Sequence, residues 1–258
     1  CIWGVALALG RKRAGTREWS RNMRGEPMSK VEISYYSDVL CIWAYVAERR
    51  LEELADQFRD QIEIVPRYCS VFPDAWGKIE RRGGFESFNQ HLKEVAARFP
   101  HIEVHDDVWL RGRPRTSASP HQFLKAVALV EADDNEAPSR PYLDRLSTRA
   151  ARKIRQAFFA EALDISDWQV HREITACIGV DYGLIEERLR SSEALAALAI
   201  DYGLATDNGI AGSPTFLMNE GRQKLFGNVG YRLLEANVQE LLRHPKEDEA
   251  SWCRTPLV

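Results

Sequence analysis

The stretch SDVLCIWAYVAERRLEEL, residues 37–54, places one cysteine where sulfur chemistry is easily arranged. Cys41 follows a run with strand character and opens a run with helical spacing. A cysteine at a helix start meets unpaired backbone N–H groups and the positive end of the helix dipole, and both favour its thiolate. Cysteines so placed have pKa values of about 3.5 to 7, against about 8.5 for a free thiol. Cys41 is therefore the candidate nucleophile, expected to carry a lowered pKa and to exchange thiol for disulfide. The alternative is a buried helix cysteine acting as a small hydrophobe. A second sulfur three residues on would let the chain resolve its own mixed disulfide, but that position is Ala44. An external thiol must then do so, with glutathione the expected co-substrate and no tightly bound cofactor.

Other chemistry-bearing residues are fewer. Pro214, in GIAGSPTFLMN (209–219), stands just before a strand pattern, which suits either a cis turn or an ordinary trans proline opening an edge strand. Cys69, placed on the second strand, and Cys177, in the helical middle, read as structural. With Cys1 and Cys253 they complete an odd, scattered set of five cysteines without a close pair. That pattern points to a reducing compartment, the cytoplasm, and not to a disulfide framework. His101, His105, His121 and His171 lack metal-ligand spacing with cysteine, so no metal is expected. His121, beside Pro120 at a helix start, reads as a surface histidine, with a substrate contact facing the thioredoxin-like domain as the alternative. Asp38 ends the strand or caps the helix. The run AERRLEEL (47–54) reads as a solvated helix face, with Glu48 opposed by Glu52 and Arg49 aided by Glu53.

The elements that must position these residues follow from periodicity. VEISYYSDV alternates and is rich in β-branched and aromatic residues, giving a first strand at about 31–36. Ile42, Tyr45, Val46, Leu51, Leu54, Ala55 and Phe58 then recur at helical spacing. QIEIVPRYCSVF is a second strand, and the right-handed crossover rule makes the two strands parallel neighbours. The middle is helix-rich, with a helix starting at Ser119–Pro120 and others at 141–162, 166–178, 181–190 and 192–206; HIEVHDDVW is its one short strand signal. SPTFLMN and RQKLFGN are two short strands around Glu220-Gly221, and 230–243 is a last amphipathic helix. The order βα, β, helices, ββα is an α/β thioredoxin fold with an all-helical insertion domain. Its expected boundaries are a leader at 1–29, a discontinuous thioredoxin-like domain at 30–78 and 207–244, a helical insertion at 79–206, and a tail at 245–258.

Composition narrows the partners. The chain has 258 residues, 45% of them apolar, enough for a sizeable core. Its net charge of −3 is spread through interspersed charges, which favours neither nucleic acid nor an anionic membrane. CIWGVALALG is shorter than the roughly 20 residues a membrane span needs, and the basic run after it reverses the order of a secretion signal. The expected partners are small-molecule or protein thiols and disulfides, and a homodimer is compatible with the sequence.

Two of these motifs carry a family likeness. SDVLCIWAYVAERRLEEL resembles the active-site segment of the cytosolic DsbA-like (FrnE-like) oxidoreductases, whose usual form is Ser-Asp-x-x-Cys-Pro-Trp-Cys. GIAGSPTFLMN resembles that family's cis-proline segment. The likeness spans about residues 31–243, and Cys-Ile-Trp-Ala departs from Cys-Pro-Trp-Cys at two positions. It implies that Pro214 is cis and faces Cys41, that the backbone of Ser213 binds a peptide or glutathione, and that Trp43 lines the site, the alternative for Trp43 being packing against the insertion. It implies thiol-disulfide oxidoreductase activity. Sister families of similar layout, the kappa-class glutathione transferases and 2-hydroxychromene-2-carboxylate isomerases, use serine where Cys41 stands, so a glutathione-dependent transferase or isomerase is the alternative. A redox-inactive binding module is the third reading.

Overall fold

The computed structural model describes residues 30–244; the expected leader 1–29 and tail 245–258 lie outside the described residues. Strand β1 (Val31–Ser37) leads through a short turn into helix α1 (Ile42–Phe58) and then strand β2 (Ile62–Tyr68). The two strands pair in parallel, from Val31↔Ile62 to Ser37↔Tyr68. Parallel neighbours need a long crossover, which α1 supplies.

After β2 the chain runs through α2 (Ala75–Glu80), α3 (Gly84–Ala96), α4 (Val108–Arg111), α5 (Ala118–Ala132), α6 (Leu146–Phe159), α7 (Trp168–Ile178), α8 (Tyr182–Arg190) and α9 (Glu193–Asp207). Local chemistry sets several of these ends. Asp74, Asp167 and Asp181 accept N–H bonds at the starts of α2, α7 and α8, and Gly179, left-handed at φ 80°, terminates α7. The chain then returns as β3 (Thr215–Met218), β4 (Gln223–Phe226) and α10 (Tyr231–Arg243). β3 pairs antiparallel with β1 and β4 antiparallel with β3, so the sheet order is β2-β1-β3-β4. This is the thioredoxin fold with a helical insertion between β2 and β3.

Strand alternation and helical spacing build the sheet's core. Ile33 and Tyr35 of β1 and Phe216 of β3 meet Ala47, Leu51, Leu54 and Phe58 of α1 and Leu234 and Val238 of α10. Tyr36 points to the other face, where it packs with Cys69, Leu217 and Ala205 of α9. The first turn of α1 behaves differently. Cys41 and Ala44 belong to the insertion's core, with Trp109, Phe123, Phe158 and Phe159. One helix thus enters both cores.

Four sequence expectations are corrected. HIEVHDDVW forms turns and α4 instead of a strand, because its backbone finds local partners: His105 N–H donates to Phe159 O at 2.7 Å, and Leu110 and Arg111 N–H to Asp107 O. The helix expected at 141–162 is shorter at both ends. Its start at Leu146 is set by the side chain of Glu131 on α5, which accepts the N–H groups of Leu146 and Ser147. Cys69 lies one residue past β2. AERRLEEL is not a wholly solvated face, since α6 brings Arg155 to Glu48 and Arg152 to Glu52, each at 2.8 Å. Arg49 pairs with Glu52 at 3.0 Å, where Glu53 was expected.

Candidate active site

Cys41 is the N-cap of α1, with extended backbone (φ −87°, ψ 115°), and its carbonyl accepts the N–H groups of Ala44 and Tyr45. What faces it is decided by sheet register. Thr215 pairs with Tyr36, and continuing that antiparallel register two residues sets Ser213 opposite Asp38. Two bonds close the junction: Asp38 N–H donates to Ser213 Oγ at 2.9 Å, and Cys41 Sγ donates to Ser213 O at 3.2 Å. The Ser213–Pro214 peptide is cis. Cys41 is only 7% exposed.

Burial governs the thiol's chemistry. It pushes the Cys41 pKa above the ordinary range. The Ser213 side chain and the Ala44 N–H pull it back, the Asp38 charge pushes it up again, and the Trp43 N–H pulls it down. The expected lowering is therefore corrected: the helix start does supply N–H donors, but removing a thiolate from water costs more than they return.

Beside the cysteine stands a polar cluster that the sequence reading under-rated. Asp38 is fully buried. Its Oδ1 accepts Leu40 N–H at 2.9 Å, and its Oδ2 accepts Val71 N–H at 2.9 Å, Phe72 N–H at 3.0 Å and Ser117 Oγ–H at 2.7 Å. One carboxylate so gathers the turn before Cys41, the loop after β2 and the start of α5. His121 is also fully buried, not on the surface as expected, with Nε2 3.9 Å from Asp38 Oδ1. Val39 N–H donates to Nε2 at 3.2 Å, which leaves the proton of a neutral ring on Nδ1, 3.0 Å from Tyr202 Oη. The ring stacks on Tyr68 at 4.6 Å. Burial lowers its pKa to about 4, with Asp38 pulling the other way, so the ring is neutral at pH 7. The only sequence signals for this cluster were Asp38 three residues before the cysteine and a histidine after Pro120.

The remaining candidates separate. Trp43 is half-buried and packs edge-on against Phe99 at 5.8 Å, on the insertion. Ala44 is fully buried. Cys69 is buried in the cluster on the opposite sheet face, where burial pushes its thiol up, and Cys177 is exposed on α7. Among the described residues no group of three or more His, Cys, Asp or Glu side chains is placed to hold a metal, and no helix is long and apolar enough to cross a membrane. Two cavities, about 660 Å³ between α1, β2 and residues 138–145 and about 490 Å³ beside Tyr36 and Arg67, are lined by neither Cys41 nor Ser213.

A family model described as the DSBA-like thioredoxin domain matches residues 32–239. The chain belongs to this family. Thiol-disulfide oxidoreductases are its characteristic members, and solved structures agree on the fold. The cytosolic disulfide reductase DsbM of Pseudomonas aeruginosa, also solved with GSH, is 21% identical with a TM-score of 0.56, over 81% of this chain and 98% of that one (99% for the GSH structure). A Nitrosomonas europaea protein described as a candidate protein disulfide isomerase is 14% identical with a TM-score of 0.64, over 83% and 98% of the two chains. A 2-hydroxychromene-2-carboxylate isomerase is 16% identical with a TM-score of 0.54, over 82% and 96%. No curated protein matches the chain.

Proposed function

We propose that the chain is a thiol-disulfide oxidoreductase that works through one cysteine, Cys41, and takes its second sulfur from glutathione. The observation that carries this is the contact of Cys41 Sγ with Ser213 O, 3.2 Å, at the start of α1, with Ala44 in place of a resolving cysteine. Cys41 loses its proton, and the thiolate attacks one sulfur of a substrate disulfide. A Cys41–substrate disulfide forms, the old S–S bond breaks, and the departing thiolate takes a proton. Glutathione thiolate then attacks the substrate's sulfur, giving a glutathione–substrate disulfide and free Cys41. Once Cys41 is deprotonated, the Ser213 carbonyl is free to accept an N–H from a bound peptide or glutathione. Ser213 and Pro214 form the thiol-binding wall and Trp43 its edge. Free Cys41, Cys69 and Cys177 support a cytoplasmic setting, as does the likeness to a cytosolic reductase solved with GSH.

The test restores the missing sulfur. Positions 41 and 44 are one helical turn apart, about 5 Å between Cα atoms, within disulfide range. Ala44→Cys is expected to reduce a model protein disulfide without glutathione, whereas the wild-type chain needs glutathione and Cys41→Ser is inactive. Wild-type turnover that is indifferent to glutathione would mean that another cysteine resolves the intermediate. One observation favours a second reading: Cys41 is buried, which pushes its pKa up, and its Sγ lies 3.2 Å from Ser213 O as a donor. In a glutathione transferase or isomerase such a group hydrogen-bonds the glutathione thiolate and forms no covalent bond. Cys41→Ser would then keep glutathione-dependent activity, and no glutathione adduct would form on the wild-type sulfur.

A further inference from the structure

The insertion sets a group of cations against the segment that cradles Cys41. Lys78 on α2 donates its ammonium to Val71 O at 2.7 Å and lies 4.1 Å from the centre of the Phe72 ring. Val71 and Phe72 are the residues whose N–H groups bind Asp38, and Phe72 shares a core cluster with Cys41. Arg81 and Arg82, both exposed, follow at the end of α2. The run RGRPR (111–115) lies alongside, since Ala75 N–H donates to Arg115 O at 2.9 Å and Trp76 Nε1 to Arg113 O at 3.0 Å. Arg113 sits over the Phe85 ring at 4.4 Å and Arg115 over the Trp76 ring at 4.8 Å, with Trp76 39% exposed.

Residues 74–82 and 111–115 together carry six cations against two carboxylates, Asp74 and Glu80. Arg115 pairs with Asp74 at 3.5 Å, but among the described residues Lys78, Arg81, Arg82 and Arg113 join no carboxylate. In a chain whose net charge is −3, this is a local excess of the opposite sign. Burial, and after it the Arg82 charge, hold the Lys78 ammonium below the usual lysine range, while Asp38 and Cys41 pull it up. An arriving anion would relieve that cost, and a charge-assisted bond in a half-buried setting is stronger than one in water.

We infer that this cationic shelf is the subsite for the anionic end of the thiol substrate, with Lys78 receiving a carboxylate of glutathione or of glutathione disulfide. The inference rests on the reading of Cys41 as a nucleophile served by glutathione. The shelf changes no bond. It raises the local concentration of an anionic disulfide beside Cys41, whose thiolate attacks one sulfur, forms the new S–S bond and expels glutathione thiolate with the electron pair of the old one.

The experiment compares disulfides of different charge on the full chain: glutathione disulfide (anionic), hydroxyethyl disulfide (neutral) and cystamine (cationic), following formation of the mixed disulfide at Cys41. Lys78→Gln loses the charge while keeping a side-chain N–H donor, and Arg81→Gln with Arg82→Gln removes the outer cations. The wild-type chain is expected to prefer the anionic disulfide, with that preference shrinking as salt is added. Lys78→Gln should lower the anionic rate about tenfold relative to the neutral rate, the scale of one lost charge-assisted bond. A wild-type chain indifferent to disulfide charge, or a Lys78→Gln variant with the wild-type ratio, overturns the shelf while the nucleophile stands. Failure of the neutral disulfide to react at Cys41 overturns the nucleophile and the shelf with it.

Discussion

Cys41 shows how two effects on one residue compete. A helix start favours an anion by about 0.3–1 kcal/mol at an exposed site and up to about 2 kcal/mol where partly buried. Taking a charge out of water costs several times that unless it is fully paired. With its side chain buried and the Asp38 charge nearby, the thiol is favoured over the thiolate in the free chain. Alkylation of Cys41 should therefore climb from about pH 6 to about pH 9, roughly tenfold for each pH unit while the thiol predominates. A plateau near neutral pH would show a low-pKa thiolate instead. Asp38→Asn removes a charge that holds the thiol protonated, so Cys41 of this variant should react several-fold faster at about pH 7. Its melting temperature should fall, because Asn presents one carbonyl oxygen where the carboxylate's two oxygens serve four donors.

Among the elements, α1 holds the design together. Its later turns pack on the sheet, its first turn packs in the insertion, and its polar face meets α6 through a buried ion pair. Arg155 reaches Glu48 through Nη1 at 2.8 Å and the Ser37 hydroxyl through Nη2 at 2.9 Å, so it also touches the end of β1. Burial pushes the Glu48 carboxyl up and Arg155 pulls it back down. Arg155→Ala leaves that carboxyl buried without its partner and should cost about 3–5 kcal/mol, read as a lower urea midpoint. Replacing both by apolar residues of similar size, Glu48→Leu with Arg155→Met, should recover most of the loss. A single variant within about 1 kcal/mol of wild type would mean that water reaches the pair and satisfies it.

For the whole molecule, the site is a meeting of distant segments: residues 38–41, 71–72, 117–121 and 213–214. The insertion is part of the site's wall, and His121 couples that junction to pH. Its pKa falls from an ordinary 6.5 to about 4 on folding, chiefly through burial. The unfolded chain therefore binds the proton more readily, and stability rises with pH across this window and is lost as pH falls through it. The contribution approaches about 3 kcal/mol. His171, lowered in the same direction by burial, adds to the slope. His121→Gln, which keeps an acceptor for Val39 N–H, should flatten the loss of stability between about pH 6.5 and about pH 4 in denaturant melts. An unchanged slope would show that His171 or the carboxylates carry it.

Local pattern was enough for much of this. Alternation in VEISYYSDV and SPTFLMN, helical spacing after Cys41, and turn residues at Glu220-Gly221 depend on neighbours in the chain, so strands, helices and their order were legible. Parallel pairing of β1 and β2 followed from the single helix between them. Cys41 and Pro214 stood out because a helix start and a strand start are local features. The partnerships were not legible. Whether Asp38 caps a helix or binds three segments, whether His121 faces water or a buried carboxylate, and whether Glu48 is solvated or meets Arg155 depend on residues about 80 to more than 100 positions away. Even the state of Cys41's thiol turned on burial, which is a property of the packed molecule: the sequence placed the sulfur at a helix start, and only the fold, by burying it, pushed its pKa above the ordinary range.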